Sequence, residues 1–194
     1  VLHRAMPINV EVARKSEQAG VDALIAVGFE GGGHVGHDRI PTFVLIPQIV
    51  DVVQIPVVAG GGIVDGRGMA AALALGAEGI YMGTRFIATK ECPAHQNFKQ
   101  AIINATDTST VTCTGISGVL RALKTPLLER CIQMEVNGST PEERDNLYRP
   151  GFLSGMLEGD MIEGTLPCGA AIGLIKEIKS AGEVVEEIVK EAEQ

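Results

Sequence analysis

The chain has no apolar run that reaches the ~18 residues a membrane-crossing helix needs. No secretory leader is visible at its start, where Val1 opens what reads as the end of a strand. Cysteine is sparse: Cys92, Cys113, Cys131 and Cys168 form no C-x-x-C pair, and their spacing excludes a familiar zinc site. No metal site is expected, and free thiols in a reducing cytoplasm are the default. Positive charge is also in deficit, with 16 basic residues against 24 acidic ones and a net charge of −8. That balance argues against a general nucleic-acid partner. Part of the acidic excess sits on Glu183, Glu186, Glu187, Glu191 and Glu193, which read as the solvated face of a terminal helix. What remains is ordinary for a globular protein: 45% hydrophobic and 21% charged residues over 194 positions, enough for a sizeable core and for one domain or one and a fraction.

Along the chain, apolar strands alternate with small-residue helices. Residues 10–19 read as a helix stopped by Gly20, and 21–28 as a buried strand leading into the glycine-rich loop 29–39. A helix is expected from near Pro47, since proline suits a first turn. Residues 55–60 form the next strand. Asp65 caps a helix over 66–76, and 79–83 is a further strand. This alternation predicts a parallel sheet covered on both faces. Beyond Arg85 the rhythm changes. Helix is expected at 94–104, an extended segment at 107–115, helix at 117–135, a polar surface loop at 136–150 and a tightly packed stretch at 164–178. A terminal helix over 182–193 turns Val184, Val185, Ile188 and Val189 inward. Three strands, plus a strand end at 1–3, suit either a small open sheet or part of a closed eight-stranded barrel.

In such folds the chemistry lies at the C-terminal ends of the strands. One strand here ends in Glu30-Gly31-Gly32-Gly33-His34, the next in Gly60-Gly61-Gly62, and the third in Gly83-Thr84. Consecutive in sequence, the three are expected to be neighbours in space. Glycines that lead from a strand into a helix free backbone N–H groups for an anion, and the helix start adds partial positive charge. One glycine cluster alone is as well explained by a tight turn. Two clusters on consecutive strands, with the Thr84 hydroxyl beside them, favour phosphate. His34 is the candidate for proton transfer, because imidazole titrates near neutrality; a structural hydrogen bond in a loop is the plainer alternative. His37 reads as structural or solvent-facing, Arg85 as half of a structural ion pair, and Met69 and Met82 as core, with Met82 next to Gly83 near enough to approach a bound ring. The cysteines lack the histidine that would activate a nucleophile.

The strings GVDALIAVGFEGGGHVG and IPVVAGGGIVDGRGMAAALALGAEGIYMGTRF resemble the nitronate monooxygenase family, in whose superfamily the enoyl-[acyl-carrier-protein] reductase II enzymes also fall. The resemblance runs from about residue 8 to about 104 and again over 164–192. It implies an α/β fold, the FMN-dependent (β/α)8 TIM barrel, of which this chain would carry only the C-terminal half, strands 5–8. Residues 1–104 would form that half and 105–194 a mostly helical extension packed on it. By resemblance His34 is the catalytic histidine, Gly32 and Gly33 let the loop approach the flavin, and Gly60, Gly61, Gly62, Gly83 and Thr84 hold the FMN phosphate. Gln48 matches a glutamine often found after the loop.

The implied activity is oxidation of nitronates or nitroalkanes with oxygen. The alternative is an NADH- or NADPH-dependent enoyl reductase. Gly31 in place of the serine of E-S-G-G-H, and Cys168-Gly169-Ala170 in place of A-G-Q, weigh against that alternative. A phosphate-binding barrel without flavin and a non-catalytic half-barrel subunit are the rivals. Expected partners are a small-molecule substrate, the missing N-terminal half-barrel on the same or a separate chain, and a second copy in a homodimer; neither nucleic acid nor membrane is expected. Four strands cannot close a barrel, so residues outside this numbering, or another chain, are expected to complete it.

Overall fold

The computed structural model of the chain describes residues 3–6 and 8–194. Its first half alternates strand and helix: β1 (Arg4–Ala5), α1 (Val10–Gln18), β2 (Ala23–Val27), β3 (Gly33–Val35), α2 (Thr42–Val50), β4 (Val57–Gly60), α3 (Gly66–Ala74) and β5 (Gly79–Tyr81). β1, β2, β4 and β5 form one parallel sheet in that order. The expected strand end at 1–3 falls partly on Val1 and Leu2, which lie outside the described residues; β1 follows it at Arg4.

The sheet is apolar because helices cover it. Leu24, Ala26, Val57 and Ala59 on the strands meet Ala13 of α1, Leu45, Ile46 and Ile49 of α2, and Ala72 of α3 in one cluster. Each fully buried Leu or Ile contributes roughly 1.5–3 kcal/mol relative to exposure. Caps close the helices as their sequences dictate. The Asn9 side chain accepts from the Val12 N–H, and that of Asp65 from the Gly68 N–H.

Helix α2 starts at Thr42 and not near Pro47, which lies inside it. The start is set from outside the helix, since the Glu30 carboxylate accepts from both the backbone N–H (2.8 Å) and the hydroxyl (3.0 Å) of Thr42. Pro47 leaves the carbonyl of Phe43 without its helical donor. Phe43 is on the exposed side of the helix.

The second half contains α4 (Thr84–Ile87), α5 (Gln96–Ile103), β6 (Thr110–Gly115), β7 (Gly118–Leu123), α6 (Pro126–Val136), α7 (Pro141–Tyr148), α8 (Gly151–Leu153), a π-helical turn (Ser154–Glu158), a 3-10 turn (Ala170–Leu174) and α9 (Ala181–Ala192). Two expectations are corrected here. Residues 118–123 are strand and not helix; helix begins only at Pro126, capped by Thr125. Leu, Arg and Ala favour helix locally, but β7 is the central strand of an antiparallel sheet ordered β3-β7-β6. Buried on both faces, it shows no alternation. Nor is 136–150 a plain surface loop. Thr140 and Glu143 form a reciprocal capping box, Pro141 opens α7, and Arg144, Asp145 and Tyr148 are buried.

Two finer points also change. Cys113 of β6 and Cys131 of α6 form a disulfide, not free thiols, because α6 packs across the hairpin and brings the two Cα atoms to 6.4 Å. On α9 only Val184 and Ile188 are buried, while Val185 and Val189 are exposed, so the face against α3 is one residue wide.

A second apolar cluster crosses residue 104. It joins Val64, Ala88, Phe98 and Ile102 to Leu166, Cys168 and Ile172. Phe98 is wholly buried in it. Phe98→Ala should lower unfolding free energy by about 3–5 kcal/mol, read as a shift of the urea midpoint at unchanged m-value.

Candidate functional site

β2, β4 and β5 are adjacent, so the loops at their C-terminal ends meet. They enclose a cavity of about 380 Å³. Its polar or bare wall carries Glu30, Gly32, His34, Gly62, Gly83 and Thr84, and its apolar wall includes Val27, Ile63, Met82 and Ile172. Met82, expected in the core beside a ring site, therefore faces this space.

The glycine turn after β4 is dictated by backbone geometry. Gly61 and Gly62 take φ of +91° and +74°, the left-handed region that other residues avoid. A side chain on Gly61 would also strike the Gly28 carbonyl at 2.9 Å. Gly60 is buried in the strand beneath, accepts from the Gly28 N–H at 3.0 Å and does not line the cavity. After β5, a Cβ on Gly83 would meet nothing within 4 Å, so the backbone there faces open space. The first N–H groups of α4 have no acceptor within their own helix. The Thr84 hydroxyl is partly engaged, accepting from the Gly169 N–H at 2.8 Å.

The loop after β2 is held from three sides. Gly31 N–H bonds the Gly28 carbonyl at 3.0 Å. The Glu30 carboxylate starts α2, and the Glu30 carbonyl accepts from Ala170 N–H at 2.9 Å. Arg121 of β7 donates to the Phe29 carbonyl at 3.2 Å and lays its guanidinium over the Phe29 ring at 4.8 Å. Gly32 is required by a close approach: a Cβ there would lie 2.5 Å from the Cys168 carbonyl carbon. Its bareness serves the neighbouring chain segment as well as the cavity. His34 is not on a free loop but in β3, paired opposite Leu120 of β7.

On the far side of His34 lies a polar relay. Its Nε2 is 3.2 Å from the Tyr148 hydroxyl, and the Tyr148 and Phe152 rings stand 6.1 and 6.2 Å away. Tyr148 donates to Asp145, which also accepts from Arg149 at 3.1 Å and from the Ile116 N–H at 3.3 Å. Partial burial holds the His34 pKa below its ordinary 6.5, with Asp145 pulling it up and Arg149 down. Burial, then the Asp145 carboxylate, pushes the Tyr148 phenol far up, so it stays a donor. Burial also drives the Cys168 thiol up to about 12, which removes it as a nucleophile at neutral pH.

The remaining candidates lie elsewhere. Gln48 is exposed on α2, donates to the Val44 carbonyl at 2.8 Å and is outside the cavity lining. Gly33 carries the positive φ (+78°) that opens β3. His37 is exposed. Arg85 is buried but bonds the carbonyls of Ala88 and Glu177, both at 2.9 Å, in place of the expected ion pair. Among the described residues no group of three or more His, Cys, Asp or Glu could hold a metal, and no helix is long and apolar enough to cross a membrane. Reading the sequence missed Asp145 and Tyr148, although the Thr140-x-x-Glu143 box announces the helix that carries them. It also missed Arg121, which had no local signal.

Comparison with known proteins places these features. The family model described as nitronate monooxygenase matches residues 1–191. A probable nitronate monooxygenase of Staphylococcus aureus (strain JH9) is 43% identical over 143 residues, 69% of this chain and 40% of the relative. FabK from Thermotoga maritima shares 40% identity at a TM-score of 0.91, covering 98% of this chain and 60% of its own. A nitroalkane oxidase from Streptomyces ansochromogenes shares 31% at 0.83, covering 100% and 58%. The chain thus spans about 40% of the curated relatives it matches.

The environment of His34 has a direct readout. Its NMR titration midpoint should fall below 6.5, leaving the ring neutral at pH 7; a midpoint above that value contradicts the burial argument.

Proposed function

The chain belongs to the nitronate monooxygenase family, and from that premise we propose that it is the C-terminal half of a flavin-dependent oxidoreductase barrel that oxidises nitronates with oxygen. β1, β2, β4 and β5 would be its fifth to eighth strands. Residues 105–194 would pack across their C-terminal ends, and an N-terminal half, on the same polypeptide or another, would close the barrel. The observation that carries the reading is the meeting of His34, Gly61–Gly62 and Gly83–Thr84 around one cavity.

The residues fit FMN. Gly83 leaves room within 4 Å for an anion oxygen against its backbone, and Gly61 and Gly62 line the same cavity in the left-handed conformation that glycine alone adopts freely. N–H groups there and at the start of α4 would bind the phosphate. When bound, the flavin supplies the acceptance of electrons from substrate. The chain's own tasks are positioning, water exclusion and charge near the reacting atoms. Val27, Ile63 and Met82 keep water from the cavity wall. His34, neutral at pH 7, would accept a proton from a neutral nitroalkane. Cys168 takes no part.

The likeness to FabK favours a second reading, an NADH-dependent enoyl reductase on the same scaffold. Gly31 weighs against it. A Cβ at that position would already press on Val27 at 2.7 Å, so this loop is built without the serine that motif carries.

The full-length protein should be yellow, with a band near ~450 nm, and consume oxygen with a nitronate. NADH oxidation coupled to an enoyl thioester selects the second reading, and a colourless protein sinks both. His34→Ala should slow turnover by roughly 10²-fold or more with flavin retained, whereas Gly62→Val should reduce flavin retention.

A further inference from the structure

Among the described residues His34 has one polar side-chain partner, the Tyr148 hydroxyl. That hydroxyl has a single proton to give. On its other side stands Asp145, buried and also bonded to Arg149 and to the Ile116 N–H. A carboxylate accepts hydrogen bonds and donates none, and it is a stronger acceptor than a neutral imidazole. The phenol proton therefore lies towards Asp145, and the oxygen presents only lone pairs to His34. For the 3.2 Å contact to be a hydrogen bond, Nε2 must carry the proton.

We propose that Tyr148 and Asp145 are positioning residues of the His34 site, holding the neutral imidazole as the Nε2–H tautomer and leaving Nδ1 as its basic nitrogen. Its bearing on catalysis rests on the flavoenzyme reading above; the tautomer itself does not.

The fold makes room for the arrangement. Gly115 ends β6 where a Cβ would overlap the Asp145 carboxylate and the Tyr148 hydroxyl. The chain thus passes over the pair at Gly115 without a side chain, and the next N–H, that of Ile116, bonds the carboxylate. β3 fixes the backbone of His34 against β7, and Phe152 packs beside its ring. The imidazole is therefore constrained in place, contact and proton position by β3, β7, Tyr148 and Phe152. The charged groups acting on it are Asp145, which favours protonation, and Arg149, which opposes it and neutralises Asp145. The chain imidazole–phenol–carboxylate does for His34 what a direct carboxylate contact does in other sites: it selects the tautomer and the orientation.

The test uses the full-length protein with ¹⁵N-labelled histidine, its flavin content read from the visible spectrum, observed at a pH above the titration of His34. Long-range ¹H–¹⁵N spectra should show His34 with a protonated Nε2 and an unprotonated Nδ1. The opposite pattern in the unaltered protein overturns the proposal without any variant. Tyr148→Phe keeps the ring and removes the acceptor, so the His34 signals should move to a mixed-tautomer pattern. Turnover should fall about tenfold, the worth of one such hydrogen bond, with KM little changed. If Tyr148→Phe leaves the His34 pattern unaltered, or lowers activity only through lost folding with that pattern intact, Tyr148 is structural and the proposal fails. A protein with no flavin but the expected tautomer refutes the flavoenzyme reading alone.

Discussion

Two stretches of backbone, Glu30–Gly32 and Cys168–Ala170, touch with no side chain between them, and the site depends on that contact. Ala170 N–H bonds the Glu30 carbonyl, Gly169 N–H bonds the Thr84 hydroxyl, and Gly32 lies where even one carbon would collide with residue 168. One strand of chain from the second half is thereby tied both to the loop after β2 and to the loop after β5. Glu30 extends the tie on its other side by setting the start of α2, and the Thr42 hydroxyl it holds reaches the Gly61 carbonyl at 2.9 Å. The three loops that line the cavity thus form one hydrogen-bonded unit.

That arrangement separates two tasks. In the proposed reading the glycine turns would hold an anion by main-chain dipoles, which need rigid backbone and no side chains. The proton chemistry would belong to His34, which β3 presents from the antiparallel sheet with Tyr148 and Asp145 behind it. Ring nitrogen and glycine turns are supported by different elements, β7 and α7 on one side, β4 and β5 on the other.

The second half of the chain is as much a part of the site as the first. It supplies β7 beneath His34, the Arg121 clamp on Phe29, the relay on α7 and the 167–170 segment. Its core is shared with the first half through Phe98, Ile102, Leu166 and Ile172, so perturbing either half should be felt at the cavity.

By itself the sequence determined what is local. The apolar strands, the Asp65 cap and the turns at Gly61–Gly62 and Gly83 could be read because each follows from the conformational limits of a few consecutive residues. So could the adjacency of β2, β4 and β5, which follows from the rule for parallel β/α units. What only the tertiary structure decided lies between distant residues. β7 is a strand because it is sandwiched between β3 and β6, against its own helical leaning. Pro47 sits inside a helix because Glu30 starts that helix earlier. Cys113 meets Cys131 because α6 lies across the hairpin, and Tyr148 reaches His34 across a separation of 114 residues. Contacts of that kind are selected by packing and by the need to satisfy buried polar groups over the whole chain, and no short window of sequence contains them.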